Sequence, residues 1–433
     1  MQTVADAIVA MNLTGLQTED LLSREWLLTN RRGGFASGTL AGCNCRRYHG
    51  LLVGTQHPPA NRILALSNCL EKITLENDQL EFSCFEFEHT LHPHGNEYLT
   101  GFSLDIGAHF EYELGVAKLT KSVYLSPDSD TVILVYAFSN LVRPFSFSVR
   151  PLAALRDFHG LQNASAAFAS SAGDPHSLRI ECSSAPEVAL HLHSPAMTFQ
   201  PGAEWWHRFF YRIEQQRGQD CFEDLWSPGW YTGRIDYPET VVLSASLTAK
   251  DASAGMDRLD PDALIESLKQ RKRKLCKHAH SRDPIQKALF LSAGQFVTER
   301  MVAGRLTPTI LAGYPWFLDW GRDTFIALPG LCLSTGRSDT AAGVLRTFAG
   351  AVSEGMIPNR FDDYGGPPHY NSMDASLWFV HAAFAWLRES RDRALFDEAL
   401  LPAVRSIIDA YSAGTRFGIH ADSDGLITGG DHQ

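Results

Sequence analysis

The feature that most limits what this chain can fold into is a change of pattern beyond its midpoint. Up to about residue 255 the segments Leu64–Ser67, Tyr112–Val116, Val123–Leu125, Thr131–Phe138, Phe145–Val149, Val188–His193, Phe209–Ile213 and Val241–Leu247 carry β-branched and aromatic residues. Gly, Pro, Asn and Asp break them at short intervals, and no helical spacing intervenes. Many short strands of this kind predict a large antiparallel sandwich. From Asp283 onward the apolar residues recur at helical spacing instead. Asp283-Pro284, Arg322-Asp323, Arg337-Ser338-Asp339, Ser372 and Asp392 each open a helix, the fifth running to about Gly414 with Pro402 as a kink. Between the two regimes, Asp260-Pro261 starts a helix that ends in the basic run Lys269–Lys277 and reads as a solvated linker. The expected organisation is therefore a β domain over 1–255, a helical linker over 256–282 and a helical-hairpin array over 283–433.

The formal net charge of −11 argues against nucleic acid or an anionic membrane as partner. No apolar run approaches membrane-spanning length, and the N-terminus lacks a basic start followed by an apolar block. A cytoplasmic location follows from that reading, and the pattern fixes no oligomeric state. Of eight cysteines, only Cys43 and Cys45 lie close together. They offer two thiolates and no second spaced pair completes a set of four, so neither zinc nor any other metal or cofactor is expected. Around them, Asn30–Gly54 holds six glycines and the pairs Arg31-Arg32 and Arg46-Arg47. Without a strand–GxGxxG–helix context, structural turns are expected there instead of a phosphate loop. In the alternating Val188–His193 segment, His191 and His193 are expected on a sheet surface.

Chemistry concentrates in two stretches. Gly313–Leu331, GYPWFLDWGRDTFIALPGL, packs Trp316, Phe317, Asp319, Trp320, Arg322 and Asp323 into eight positions. Charges beside aromatics are poor core material, because they need desolvating and pairing. They suit a sugar: flat rings cover its apolar face and a charged fork grips its hydroxyls. Ile357–Asp374, IPNRFDDYGGPPHYNSMD, supplies Asn359, Arg360, Asp362, Asp363, His369, Tyr370, Asn371 and Asp374, with Trp378 one turn further on. If the two share a rim, the pocket is lined by aromatics, amides and carboxylates with no nucleophile–base pair, as a neutral polyol requires. The competing reading makes Arg322 one half of a structural ion pair and Asp374 a complement to a helix dipole.

The stretch TNRRGGFASGTLAGCNCRRYHGLLV resembles the N-terminal domain signature of bacterial and archaeal glycogen debranching enzymes. GYPWFLDWGRDTFIALPGL and IPNRFDDYGGPPHYNSMDASLWF resemble the start of their amylo-α-1,6-glucosidase domain. The resemblance implies a β-supersandwich followed by an (α/α)6 barrel, of which about five helices fall within this chain. It implies hydrolysis, with inversion, of the α-1,6-linked glucose left at a trimmed branch of glycogen or a related α-glucan. It assigns Arg322-Asp323 to the outer hydroxyls of the terminal glucose, with Trp316 and Trp320 as walls. The general acid and base of the family are expected beyond Gln433, so the chain is expected either to be a fragment of a longer protein or to lack the family's catalytic pair. A glycoside phosphorylase of the same plan and a non-catalytic glucan-binding protein are the alternatives.

Overall fold

The computed structural model describes residues 8–76, 78–88, 90–252, 260–277, 283–302, 304–362 and 366–429. The expected boundary at 255, Asp363 and the last four residues lie outside them. The chain divides into two compact units, residues 1–56 with 62–272 and residues 57–61 with 273–433.

Among the described residues, the first unit is built on two antiparallel sheets. One holds nine strands in the order Val9–Asn12, Leu99–Leu104, Ala108–Glu113, Lys118–Leu125, Thr131–Ser139, Thr240–Ala249, Val188–His193, Ser177–Cys182, Phe168–Asp174. The other holds ten, running from Glu25–Thr29 through Phe35–Thr39, Gly50–His57, Ala60–Thr74, Phe145–Asp157, Phe222–Ile235 and Thr198–Phe210 to Cys84–Phe87 and Thr90–His94, with Gln79–Glu81 on a side branch. The inward residues of the two sheets meet ring to ring: Tyr136 and Phe147 stand 4.9 Å apart, Phe138 and Phe145 5.3 Å. Burying each such ring stabilises by roughly 1.5–3 kcal/mol, so alternation on both sheets is what closes the sandwich. Glu71, buried at its centre, is paired with Lys121 and accepts from the Tyr136 hydroxyl at 3.0 Å.

Three local expectations are corrected. The strand expected over Tyr112–Val116 ends at Glu113, because Gly115 turns the chain with φ +73°. That over Phe209–Ile213 stops at Phe210 and gives way to the short helix Arg212–Gln216. His191 lies inside the structure, 7% exposed, because its strand is covered on both faces, and burial holds its pKa below the ordinary value. In Asn30–Gly54 the arginines are taken up by acids: Arg31 pairs with Asp128, Arg32 with Asp130, Arg46 with Glu25 and Arg47 with Glu214. Gly34 sits so close to Asp130 and Val53 that a Cβ would meet them at 2.7 and 2.8 Å.

Of the second unit, the described helices are Pro284–Gln295, Gly321–Leu328, Ser338–Ala349, Ala375–Ser390 and a composite run from Arg393 to Ala413. Asp283 caps the first by accepting from Ile285 N at 2.9 Å, and Asp392 caps the last by accepting from Leu395 N at 3.0 Å. The composite run winds loosely over Phe396–Leu400, just before Pro402 restarts it. Phe325, Phe348 and Phe379 form the second unit's fully buried centre, with Phe325 edge-on to the others at 4.9 and 5.2 Å. A β-hairpin, Val297–Val302 with Arg305–Ile310, stands between the first two helices where no strand is expected from sequence.

Candidate functional site

The two rich stretches lie side by side. Gly313–Trp320 is a tight loop, closed by Phe317 N donating to Gly313 O at 3.0 Å and Ala312 N to Leu318 O at 2.8 Å. Leu318, 3% exposed, pins it from below against Leu311 and Ala60. Trp320 then extends (φ −103°, ψ 127°) and bridges to Arg360 of the second stretch. Gly321 N donates to Asn359 O at 2.8 Å, an approach only glycine permits, since a Cβ would stand 2.3 Å from Pro358 O. The helix Gly321–Leu328 starts there, so Arg322 and Asp323 occupy its exposed first turn.

The second stretch folds on itself by a short ladder. Asn359 N donates to His369 O and His369 N to Arg360 O, both at 2.8 Å. Arg360 Nη2 reaches His369 Nε2 at 3.1 Å, and Asp362 accepts from Gly366 N at 2.9 Å. Asn359 Nδ2 donates to Asn371 Oδ1 at 3.5 Å, while Asn359 Oδ1 accepts from Arg322 N at 3.4 Å. Tyr370 donates its hydroxyl to Ala351 O at 2.8 Å and carries the Arg416 guanidinium on its ring at 4.7 Å. Its phenol is thus committed to holding the loop.

Arg322 pairs across the rim, not with its neighbour Asp323. Its Nε donates to Asp374 Oδ1 at 2.7 Å and its Nη2 to Ser372 Oγ at 3.2 Å; Ser372 in turn donates to the same Asp374 oxygen at 2.7 Å. Some burial raises the Asp374 pKa, but the Ser372 hydroxyl and Arg322 guanidinium outweigh it and hold the carboxyl below its usual range. Arg322 remains 48% exposed and keeps N–H groups for a ligand, since a guanidinium has five. Asp323, exposed one position on, makes no ion pair among the described residues. Beside this clasp runs an edge-to-face row, Trp316 to Phe317 at 6.2 Å and Phe317 to Trp320 at 5.8 Å, with Phe317 43% exposed. Phe317 is the ring that links the two tryptophans.

Asp319 stands apart from the other residues singled out in sequence. It is 0% exposed and its carboxylate is occupied by Arg300 Nε at 2.6 Å, Arg300 Nη2 at 2.5 Å and Thr309 Oγ1 at 2.9 Å. It holds the aromatic loop to the β-hairpin and presents nothing to a ligand. Arg300 also lies on the Phe361 ring at 4.5 Å, tying the second stretch to the same hairpin. These partners escape sequence reading because Arg300 lies in a strand that carries no recognisable motif. Among the described carboxylates of the two stretches, Asp319, Asp374 and Asp362 are thus engaged and Asp323 is open. Among the described residues, the arrangement does not set two free carboxyl groups against each other.

No helix among the described residues is long and apolar enough to cross a membrane. A glycogen debranching enzyme of Saccharomyces cerevisiae is 40% identical over 87 residues, covering 19% of this chain and 6% of that protein. A bacterial glucoamylase solved with acarbose is 12% identical, covering 94% of this chain and 59% of that one, with a TM-score of 0.47. A putative kojibiose phosphorylase from human microbiome is 9% identical, covering 92% and 58%, with a TM-score of 0.48. This chain therefore spans a small part of the yeast relative and under two thirds of the two solved chains. Residues 291–433 match the amylo-alpha-1,6-glucosidase family, which takes in the clasp and the aromatic row. Residues 24–242, more than half of the chain and most of the sandwich, match the glycogen debranching enzyme N-terminal family, and the chain belongs to the glycogen debranching enzyme family.

Proposed function

We propose that this chain contributes to hydrolysis of α-1,6-linked glucose at branch points of glycogen or a related α-glucan, with inversion, in the cytoplasm. In this reading residues 1–255 form the supersandwich, 256–282 a linker and 283–433 the first part of an (α/α)6 barrel. Trp316, Phe317 and Trp320 cover the apolar face of a glucose unit, and Arg322 with Asp323 and Asp374 grips its hydroxyls. Asn359, Arg360, Tyr370 and Asn371 shape the rim. The general acid and base come from outside these residues.

The observation that carries the reading is the Arg322–Ser372–Asp374 clasp beside a row of three aromatic rings, Phe317 exposed and Trp316 and Trp320 half-buried. A structural ion pair alone has no use for a neighbouring row of rings that reaches solvent at Phe317, whereas a pyranose needs both surfaces. The engagement of Asp319, Asp362 and Asp374 fits binding and positioning better than proton transfer.

Calorimetric titration of the full chain with a branched limit dextrin tests this. Arg322→Ala should weaken binding by roughly ten- to a hundredfold, the loss of a charge-assisted hydrogen bond worth on the order of 1.5–3 kcal/mol. Unchanged affinity with only a lowered melting temperature would return the clasp to a structural role. Glucose released by this chain alone would overturn the placement of the acid and base. Sugar 1-phosphate formed in phosphate buffer would mark a phosphorylase.

A further inference from the structure

The loop between strands Phe35–Thr39 and Gly50–His57 carries Cys43 and Cys45, and strand Cys84–Phe87 carries Cys84 and Glu86. Each is a pair of residues two apart, and the fold turns the two pairs toward each other. The Cys43 and Cys45 sulfurs and a Glu86 oxygen lie within 4.8 Å of one another. The Cys84 thiol interacts with that of Cys43 and brings a third sulfur. All four side chains are buried: the thiols are 0%, 0% and 1% exposed and Glu86 8%.

We propose that Cys43, Cys45, Cys84 and Glu86 form a structural zinc site in the sandwich. Zinc prefers four ligands in a tetrahedron with Zn–S near 2.3 Å, so its sulfurs stand about 3.8 Å apart. Cys43, Cys45 and Glu86, already within 4.8 Å of one another, need to close by about an ångström or less, and Cys84 moves in from its contact with Cys43 to complete the four. The supports of such a site are also in place. Arg212 holds the Glu86 carboxylate with Nε at 2.8 and 3.0 Å and Nη2 at 2.7 Å, which orients it and offsets negative charge while leaving lone pairs free. The cysteine loop is fixed by Cys45 N donating to His49 Nδ1 at 3.1 Å, Thr39 Oγ1 to Cys43 O at 2.7 Å and Ile213 N to Cys45 O at 3.1 Å. Buried thiols alone behave as small apolar residues. What separates this cluster from the buried cysteine at 332 is a carboxylate within ligand distance of two of its sulfurs. On binding, three S–H bonds break, three Zn–S bonds form and the protons pass to buffer.

The test uses the full chain, purified reduced and without chelator. Elemental analysis after desalting should give one zinc per chain, and chelation should lower the melting temperature. The chain refolded with cobalt(II) should show intense sulfur-to-cobalt charge transfer and the ligand-field bands of a tetrahedral site. Cys84→Ser should lose the metal and Cys332→Ser should keep it. A reduced wild-type chain that takes up neither zinc nor cobalt would overturn the proposal. So would a disulfide between any two of the three cysteines in the native protein, or a Cys84→Ser variant with an unchanged cobalt spectrum.

Discussion

Arg322 has one carboxylate beside it in sequence and another 52 positions away, and the fold gives it the distant one. Neighbouring first-turn residues of a helix point to different faces, so Arg322 and Asp323 cannot close a pair while both stay on the rim. That Arg322 and Asp323 would stay exposed was legible, because neither has beside it a partner it can close on that would let it be buried. Their pairing was not, since it depends on which two loops the Gly321–Asn359 contact brings together. The clearest case is Asp319, which looks like its neighbours in sequence and is buried in the structure. Replacing it by Asn leaves the Arg300 charge buried without its counterion, which should cost about 3–5 kcal/mol, read as a lowered urea midpoint. A second residue-scale expectation concerns acid. Burial raises the Glu25 pKa, but hydrogen bonds and charge from His49 and Arg46 lower it more, to about 2 from 4.5. A carboxyl depressed in the folded state contributes stability above its unfolded pKa and loses it as pH falls through the folded one. Urea midpoints of the wild type should therefore drop between about pH 4.5 and about 2, and Glu25→Gln should flatten part of that fall.

At the scale of elements, the strands that sequence reading placed well are those with unbroken β-branched or aromatic runs, such as Thr131–Ser139 and Val188–His193. Those it misplaced end on a single residue: Gly115 at one, the change to helix after Phe210 at the other. The hairpin Val297–Ile310 escaped because Glu299, Arg300 and Arg305 interrupt its apolar residues, and Arg300 serves Asp319 rather than the strand pattern. Helix starts were easier, because a side-chain cap such as Asp283 or Asp392 is a local device. The contact that aligns the site is likewise local in cause. Gly321→Ala should push the Trp320 segment off Pro358 and destabilise the protein by about 1–3 kcal/mol, as overpacking does. Dextrin affinity should fall with it, and a variant that melts lower but binds normally would show that the two stretches need not touch to hold a sugar.

For the whole chain, two compact units with a β-rich first and a helical second follow from where alternation gives way to helical spacing. What that switch does not reveal is how much apolar surface the second unit leaves in solvent. Ile285 is 70% exposed, Leu289 64%, Phe384 43% and Leu377 40%. Apolar surface of this kind drives association. Sedimentation velocity should show concentration-dependent self-association, reduced in Leu289→Glu; a strictly monomeric wild type at high concentration would refute this. The placement of Arg300 carries a different consequence. One face of its guanidinium lies on Phe361 and its edge holds Asp319, so a single flat group is wedged between the ring-bearing loop and the amide-bearing loop. The two loops thus share one support, and a substitution at Arg300 should disturb Trp320 and Arg360 together.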